Sequence, residues 1–536
     1  MKRIIVIADF FTEHVLGGGE LNNEELIKMF CNEGEVYKIQ SHNVTKNYLN
    51  SNKNAFFIIS NFVNLSFECR EILTKLEYII YEHDHKYLKS RNPATYKNFK
   101  APPSEIVNYR FYKEANAVLC QSEFHKKIAQ KNLNIKNIIN LGGNLWSLES
   151  LELMRRLNKR QKQKAPSILD SKIVHKNTLE TIKFCNLKKI KYKLISSDKY
   201  HTFLENLSSN EKFIFLPKTP ETLSRVVVEA RMLGCSVTTN RMVGATSEPW
   251  FKLKGDELID FMIRKRSEIF SLIKDLSKSS TKKTRPNISI ITTFHEGEEF
   301  LNDFMENITK QSIFNQCELI IVDAASCGTE RKIIEKYSQT YNNIKYIRIE
   351  EKLLPSPCLN IAVQNSTGRY LTYAFIDDHK KQDAIQLLYE YIIEKQVGLV
   401  YGDTAQINNK SQINKNSEKI LFEHSRFPFS KENMVKCLPG PMPLWDYKIH
   451  EKSGFFDNIN CNYADDWEMW LRAVNDGFIF ERLNKVVGYY LVGGRSQQNN
   501  IEQRQEEAKI FFKYSHLFGS NFHKYKNYFN QFLRSK

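Results

Sequence analysis

ISIITTFHEGEEFLNDFMENITKQS (288–312), followed by ELIIVD (318–323), decides the fold of the C-terminal half. An apolar run, an amphipathic segment and a second apolar run read as strand, helix and strand, the repeating unit of a parallel sheet covered on both faces. IKYIRI (344–349), YLTYAFI (370–376) and GLVYG (398–402) continue the series. Strands of such a sheet aim their carboxyl ends at the ligand crevice, so acids just beyond them are the first candidates for chemistry. Asp323 closes IIVDAAS, Asp377 and Asp378 close YAFIDDHK, and Asp465–Asp466 open an amphipathic helix in NYADDWEMWLR.

Working outward, SKSSTKKTRP (277–286) is polar and basic and ends on proline, which fits an exposed linker. Before it lie two further α/β series. The first, over 1–145, has strands expected at Ile4–Ala8, Phe56–Ile59, Tyr78–Tyr81, Ala117–Cys120 and Ile138–Leu141. The second runs from about 166 to 262, with Tyr192–Ile195, Phe213–Leu216 and Ser236–Thr239. In VLGGGELNNEELIKMF (15–30) three glycines precede a helix, where backbone N–H groups face an anion; Gly18 is the candidate contact. In FLPKTPETLSRVVVEARMLGCSVTTN (215–240) a strand ends at Pro217, Thr219 suits an N-cap and Pro220 the first helical position. That places Glu221 in the first helical turn and Glu229 two turns on. YEHDHKYL (81–88) reads either as a polar loop or as a hydrogen-bonding loop on the acceptor side, since nothing completes a metal set for His83 and His85.

At roughly 150 residues per domain, 536 residues predict three to four compact units. With 41% apolar and 12% aromatic residues the chain can build real cores, which excludes disorder and collagen-like character for most of it. Lys and Arg number 78 against 61 acids, a formal charge of +17 that suits an anionic partner without naming it. The ten cysteines are scattered without a CxxC pair and read as reduced thiols in a cytosolic protein. The apolar run of MKRIIVIADFF breaks at Asp9, too early for a signal segment, and no stretch is long and apolar enough to span a bilayer.

The quoted C-terminal motifs, with NIAVQNSTGRYLTYAFIDD and GFFDNINCNYADDWEMWLRAVNDG, resemble the family 2 glycosyltransferases, of GT-A fold, over about 286–495. The resemblance implies that Thr292, Phe294 and Asp323 line the nucleoside pocket. It makes Asp377 and Asp378 the metal-binding, donor-side pair and Asp466 the catalytic base beside Trp467 and Trp470. Phe375 stands where many members carry a first acid, and Asp323-Ala324-Ala325 replaces the family's usual acids. A pair of carboxylates suits Mn²⁺ or Mg²⁺ shared with a diphosphate. Arg495, in GYYLVGGRSQQN (488–499), is either a donor-phosphate contact or part of a plain loop. The E-x7-E pair Glu221 and Glu229, together with ANAVLCQSEFHKKI (115–128), resembles the family 4 glycosyltransferases of GT-B fold. On that resemblance both glutamates are catalytic and need no metal; Lys176 is the one candidate diphosphate contact.

The expected architecture is α/β: two Rossmann-like domains (1–150 and a compact 151–276), the linker 277–286, a GT-A domain (287–500) and a helical tail (501–536). From Ala508 to Lys536 lysines and arginine alternate with nine Phe or Tyr residues and no acid. That tail suits either peripheral contact with an anionic inner membrane face or a helix pair packing its rings on the domain before it. The expected activity is transfer from nucleotide-diphosphate sugars to a glycan or lipid-linked glycan of the cell surface, in the cytoplasm. Resemblance implies inversion in the C-terminal module and retention in the N-terminal one. The alternative is a single C-terminal transferase with an acceptor-binding N-terminal half. A nucleic-acid binder is disfavoured, because acids sit where phosphates would have to lie.

Overall fold

The computed structural model describes residues 2–197, 199–278, 286–408, 426–491 and 501–534. The chain divides into two compact units. One comprises Met1–Ala101 and Asn108–Lys283, the other Pro102–Val107 and Thr284–Lys536.

The first unit holds two parallel sheets. β1 (Ile4–Ala8), β2 (Val36–Gln40), β3 (Phe56–Ile59), β4 (Glu77–Tyr81), β5 (Ala117–Cys120) and β6 (Ile138–Asn140) are ordered β2-β1-β3-β4-β5-β6. β1 and β3 are buried at every position, which is why they read as unbroken apolar runs. β2 has no such run because it is an edge strand with mostly half-buried or exposed side chains. β7 (Gln163–Leu169), β8 (Lys193–Ile195), β9 (Asn210–Phe215) and β10 (Ser236–Thr239) form the second sheet, ordered β10-β9-β7-β8. Pro166 sits in β7 at a register shift, where its missing N–H is tolerated. The helix Asp256–Lys278 serves both cores. Leu258, Ile259 and Met262 pack with the second sheet, and Ile269 and Ile273 with the first. It runs two residues into the stretch expected to be linker.

The second unit is built on β11 (Ile288–Phe294), β12 (Cys317–Ala324), β13 (Ile344–Ile349), β14 (Tyr370–Tyr373), β15 (His379–Lys380), β16 (Leu399–Ile407), β17 (Leu444–Asp446) and β18 (Phe480–Leu491). Their order is β13-β12-β11-β14-β17-β16-β18-β15. The first four are parallel, and β17 joins β14 and β16 antiparallel. β14 stops three residues before the expected end at Ile376, so Asp377 and Asp378 lie on the turn beyond it.

The tail forms two helices, Ile501–Lys513 and Gly519–Arg534, with Phe511 and Phe529 buried and Tyr528 exposed. Phe511 stacks on Phe518, Phe522 and Phe529, and Phe529 on Trp467 of the preceding domain, at centroid distances of 4.4 to 6.3 Å. The helix-pair alternative therefore accounts for these rings, while Lys524 and Lys526 stay exposed. Among the described residues no helix is long and apolar enough to cross a membrane.

Pro102–Val107 docks on the turn after the helix Lys448–Ser453. Phe455 N–H donates to the Pro103 carbonyl (3.1 Å), and Gly454 adopts φ +83° with its missing Cβ aimed 2.2 Å from the Ser104 carbonyl oxygen. Both the backbone region and the close approach demand glycine. Gly454→Ala is expected to destabilise the second unit by on the order of 3 kcal/mol, read by denaturant unfolding; an unchanged midpoint would contradict this account of the turn.

Candidate active site

In the second unit Phe294 and Asp323 lie at the carboxyl ends of β11 and β12, and Asp377 and Asp378 just beyond β14. Phe294 and Asp323 are register partners on β11 and β12. Asp323 is fully buried and satisfied: Oδ2 accepts from the Tyr346 hydroxyl (2.6 Å) and Arg348 (3.0 Å), and Oδ1 from Ser326 N–H (2.9 Å). Burial and this carboxylate push the Tyr346 phenol up to about 12. Thr292 is buried, and its hydroxyl has no hydrogen-bond partner among the described residues. Phe294 faces the apolar core with Ile290, Leu301 and Ile321, so its ring supports the strand end from below. His295 Nδ1 lies 2.8 Å from the Ala324 carbonyl and ties the two strand ends together.

Beyond β14, Asp377 is half-buried and Asp378 buried, with Asp378 N–H closing a turn onto the Phe375 carbonyl (3.2 Å). Phe375 stacks on Tyr373. Lys380 is buried behind Asp378. Its ammonium lies 3.4 Å from the Thr372 hydroxyl, and burial draws it down to about 7 against the opposing pull of Asp378. Among the described residues no three His, Cys, Asp or Glu side chains converge on one point. Two adjacent carboxylates still fit a hard cation that takes its other oxygens from phosphate and water.

Asp465 and Asp466 begin the helix Asp465–Asn475. Asp466 accepts from Trp467 N–H (2.6 Å) and from the Cys437 thiol (3.6 Å), and the Ser356 side chain lies beside Asp465. Removal from water raises both carboxyls; the Asp466 charge adds to the rise of Asp465, to about 7, and Glu507 to that of Asp466. The buried Tyr373 hydroxyl, without a hydrogen-bond partner among the described residues, feels both charges and is driven well above its ordinary value. Tyr373 thus links the strand leading to Asp377 and Asp378 with the helix carrying Asp465 and Asp466. Trp467 and Trp470 are buried core rings rather than open walls. Trp467 donates to the Met434 carbonyl (2.8 Å), and Trp470 packs against Trp445, Tyr373 and Phe480.

In the first unit a cleft of about 630 Å³ opens at the carboxyl ends of both sheets, lined by Gly17, Gly18, Gly19, Lys176, Glu221 and Glu229 among others. The loops after β7 and β9 enter it where the strand order of the second sheet reverses. Glu221 is not in a helical turn: the helix starts only at Arg225. Residues 217–224 remain a loop because Glu221 N–H and carbonyl bond Met242 and Gly244, and the Ser122 hydroxyl takes the Thr222 carbonyl. Glu221 pairs with Lys176 (2.9 Å). Glu229 is buried, and its Oε1 accepts from the Trp146 indole (3.0 Å) and the Tyr200 hydroxyl (2.7 Å), with Arg225 Nε at 3.4 Å. The i,i+4 spacing of Arg225 and Glu229 on one helix is the sequence signal for that partner; nothing local points to Trp146 or Tyr200.

His83 also faces the cleft. Gln121 donates to its Nδ1 (2.6 Å), so Nε2–H donates to Asn23 (3.1 Å), and burial draws the imidazole down to about 3. His85 bonds Tyr87 internally (2.8 Å), and Lys86 is clamped by Glu82 and Asp84. The His-x-His segment is therefore a structural network with one ring on the cleft. Arg495 lies outside the described residues.

Residues 289–455 match the family described as glycosyl transferase family 2. The chain is a glycosyltransferase. The matched span contains Thr292, Phe294, Asp323, Asp377 and Asp378 and ends before Asp465. A glycosyltransferase of Bacillus subtilis provisionally assigned to teichuronic acid biosynthesis is 22% identical over 239 residues, 44% of this chain and 89% of its own length. A poly(ribitol-phosphate) beta-glucosyltransferase of Bacillus spizizenii is 24% identical over 208 residues, 35% of this chain and 33% of its own. Among solved structures, S. aureus TarS 1-349 in complex with UDP-GlcNAc aligns at 15% identity and a TM-score of 0.38, covering 47% of this chain and 76% of that one.

A folded-state value near 7 against an ordinary 3.8 means that stability tied to protonated Asp465 is present at low pH and lost as pH rises through about 7. Asp465→Asn is accordingly expected to raise the melting temperature relative to the parent more at pH 8 than at pH 4; an equal shift at both would contradict the burial of a charge pair.

Proposed function

We propose that the C-terminal unit transfers a sugar from a nucleotide-diphosphate sugar to a hydroxyl of a growing surface glycan, with inversion, from the cytoplasmic side. The observation that carries this reading is the partly desolvated Asp465–Asp466 pair, joined through Tyr373 to the strand that leads to Asp377 and Asp378. Thr292 and Asp323 serve the nucleoside end, with Phe294 supporting that strand end from the core, and Asp377 and Asp378 would hold Mn²⁺ or Mg²⁺. A bound cation supplies charge neutralisation for the departing nucleoside diphosphate. Asp466 accepts the proton of the attacking hydroxyl and is competent when ionised. The names of the two Bacillus relatives support an anionic cell-surface polymer as acceptor.

In a transfer assay with candidate nucleotide sugars, Asp466→Asn is expected to lower kcat by about 10²–10⁴. The parent rate should fall toward acidic pH as Asp466, whose proton affinity burial raises, takes up a proton, and a chelator should abolish activity that Mn²⁺ restores. Full activity of Asp466→Asn would refute the assignment of the base.

A second reading gives the N-terminal cleft its own, retaining transfer of GT-B type. What favours it is that two helices, Gly18–Cys31 and Arg225–Met232, begin at the cleft without a side-chain cap. The Ser224 hydroxyl there is buried, with no partner among the described residues and its backbone at φ +73°. Orphan N–H groups at such ends suit a diphosphate. Glu229→Gln is expected to remove one linkage from the product while Asp466→Asn removes another; a full product from Glu229→Gln leaves the single-transferase alternative, with the N-terminal half binding acceptor.

A further inference from the structure

The tail helix Ile501–Lys513 does more than cover the domain. Glu506 accepts three consecutive backbone N–H groups, from Asn462 (2.7 Å), Tyr463 (2.9 Å) and Ala464 (2.7 Å). Those residues immediately precede Asp465, and Ala464, the residue before the first helical turn, has no side-chain cap of its own. One carboxylate from 42 to 44 residues downstream therefore holds the three backbone donors of the segment that leads into the helix. Other contacts hold the same helix from its flanks. The Tyr463 hydroxyl donates to Glu502 (2.9 Å), while Glu468 accepts from Lys513 (2.8 Å) and Tyr514 (2.7 Å).

We propose that Glu506 is a positioning residue for sugar transfer: it fixes the backbone that presents Asp465 and Asp466 and sets a negative charge beside them. The tail is then part of the active site. This rests on the reading of Asp466 as the base. The groups around the carboxylate pair come from several elements: Ser356, Tyr373 on β14, Cys437, Cys461, and Glu506 and Glu507 on the tail. Glu506 pushes Asp465 in the same direction as Asp466 does, toward holding a proton.

The experiment compares pH–rate profiles of the full-length parent, Glu506→Gln, Glu506→Asp and Asp466→Asn, with melting temperatures measured alongside. An amide at 506 turns its NH₂ toward the backbone donors and removes the charge. Glu506→Gln is expected to lower kcat by about tenfold or more, to leave the donor KM unchanged, and to move the acidic limb of the profile to lower pH. Glu506→Asp keeps the charge on a shorter arm, so its kcat should fall while its limb stays at the parent position. A Glu506→Gln enzyme with parent kcat and limb, or one that loses only melting temperature, overturns the proposal. If Glu506→Gln does not fold, Glu506→Asp decides, and an unchanged kcat overturns it. Parent-like activity in Asp466→Asn would instead refute the base assignment, whatever position 506 does.

Discussion

Two carboxylates on consecutive residues, drawn out of water at the start of one helix, cannot both ionise without repelling each other. Much of the C-terminal unit can be understood as holding Asp465 and Asp466 in that position. The surrounding groups are mostly neutral or acidic: a thiol at Cys437, a phenol at Tyr373, a hydroxyl at Ser356 and the tail glutamates. Burial and the acidic neighbours raise proton affinity against the opposing hydrogen bonds from Ser356 and Cys437, toward the range in which a general base is most useful. The same helix is anchored by buried aromatic rings and by Arg472, which pairs with Glu468, so the strained pair sits on a rigid element.

The N-terminal unit treats its acids differently. Glu221 is paired with Lys176, and Glu229 is surrounded by Arg225, Trp146 and Tyr200. These carboxylates are compensated by neighbouring donors, whereas Asp465 and Asp466 press on each other. The contrast is why the acid–base chemistry is assigned to the C-terminal half and the N-terminal cleft is read first as a place for an anionic ligand.

Much of this was legible in the amino-acid sequence, for identifiable reasons. Strands such as Ile4–Ala8 and Ala117–Cys120 match the expected bounds because both their faces are buried, leaving no polar position to blur the run. Val36–Gln40 was invisible because an edge strand needs no apolar face. The helix start at Thr219–Pro220 misled because cap chemistry is local, while the bonds from Glu221 to Met242 and Gly244 are not. Asp323, Asp377, Asp378 and Asp466 could be picked out because acids after apolar strands or at the head of an amphipathic helix are conspicuous. Arg348, Tyr373 and Glu506 could not, since each reaches the site only through tertiary folding, and Glu506 reads in sequence as one more acid on a solvated helix.

The central claim, that burial and the neighbouring Asp466 charge keep Asp465 protonated up to near neutral pH, can be tested directly by ¹³C NMR titration of the side-chain carboxyls in aspartate-labelled protein. The account predicts one carboxyl resonance with a midpoint near 7 that disappears in Asp465→Asn. Aspartates that all titrate in the ordinary acidic range, with no resonance lost near neutrality in the variant, would contradict it.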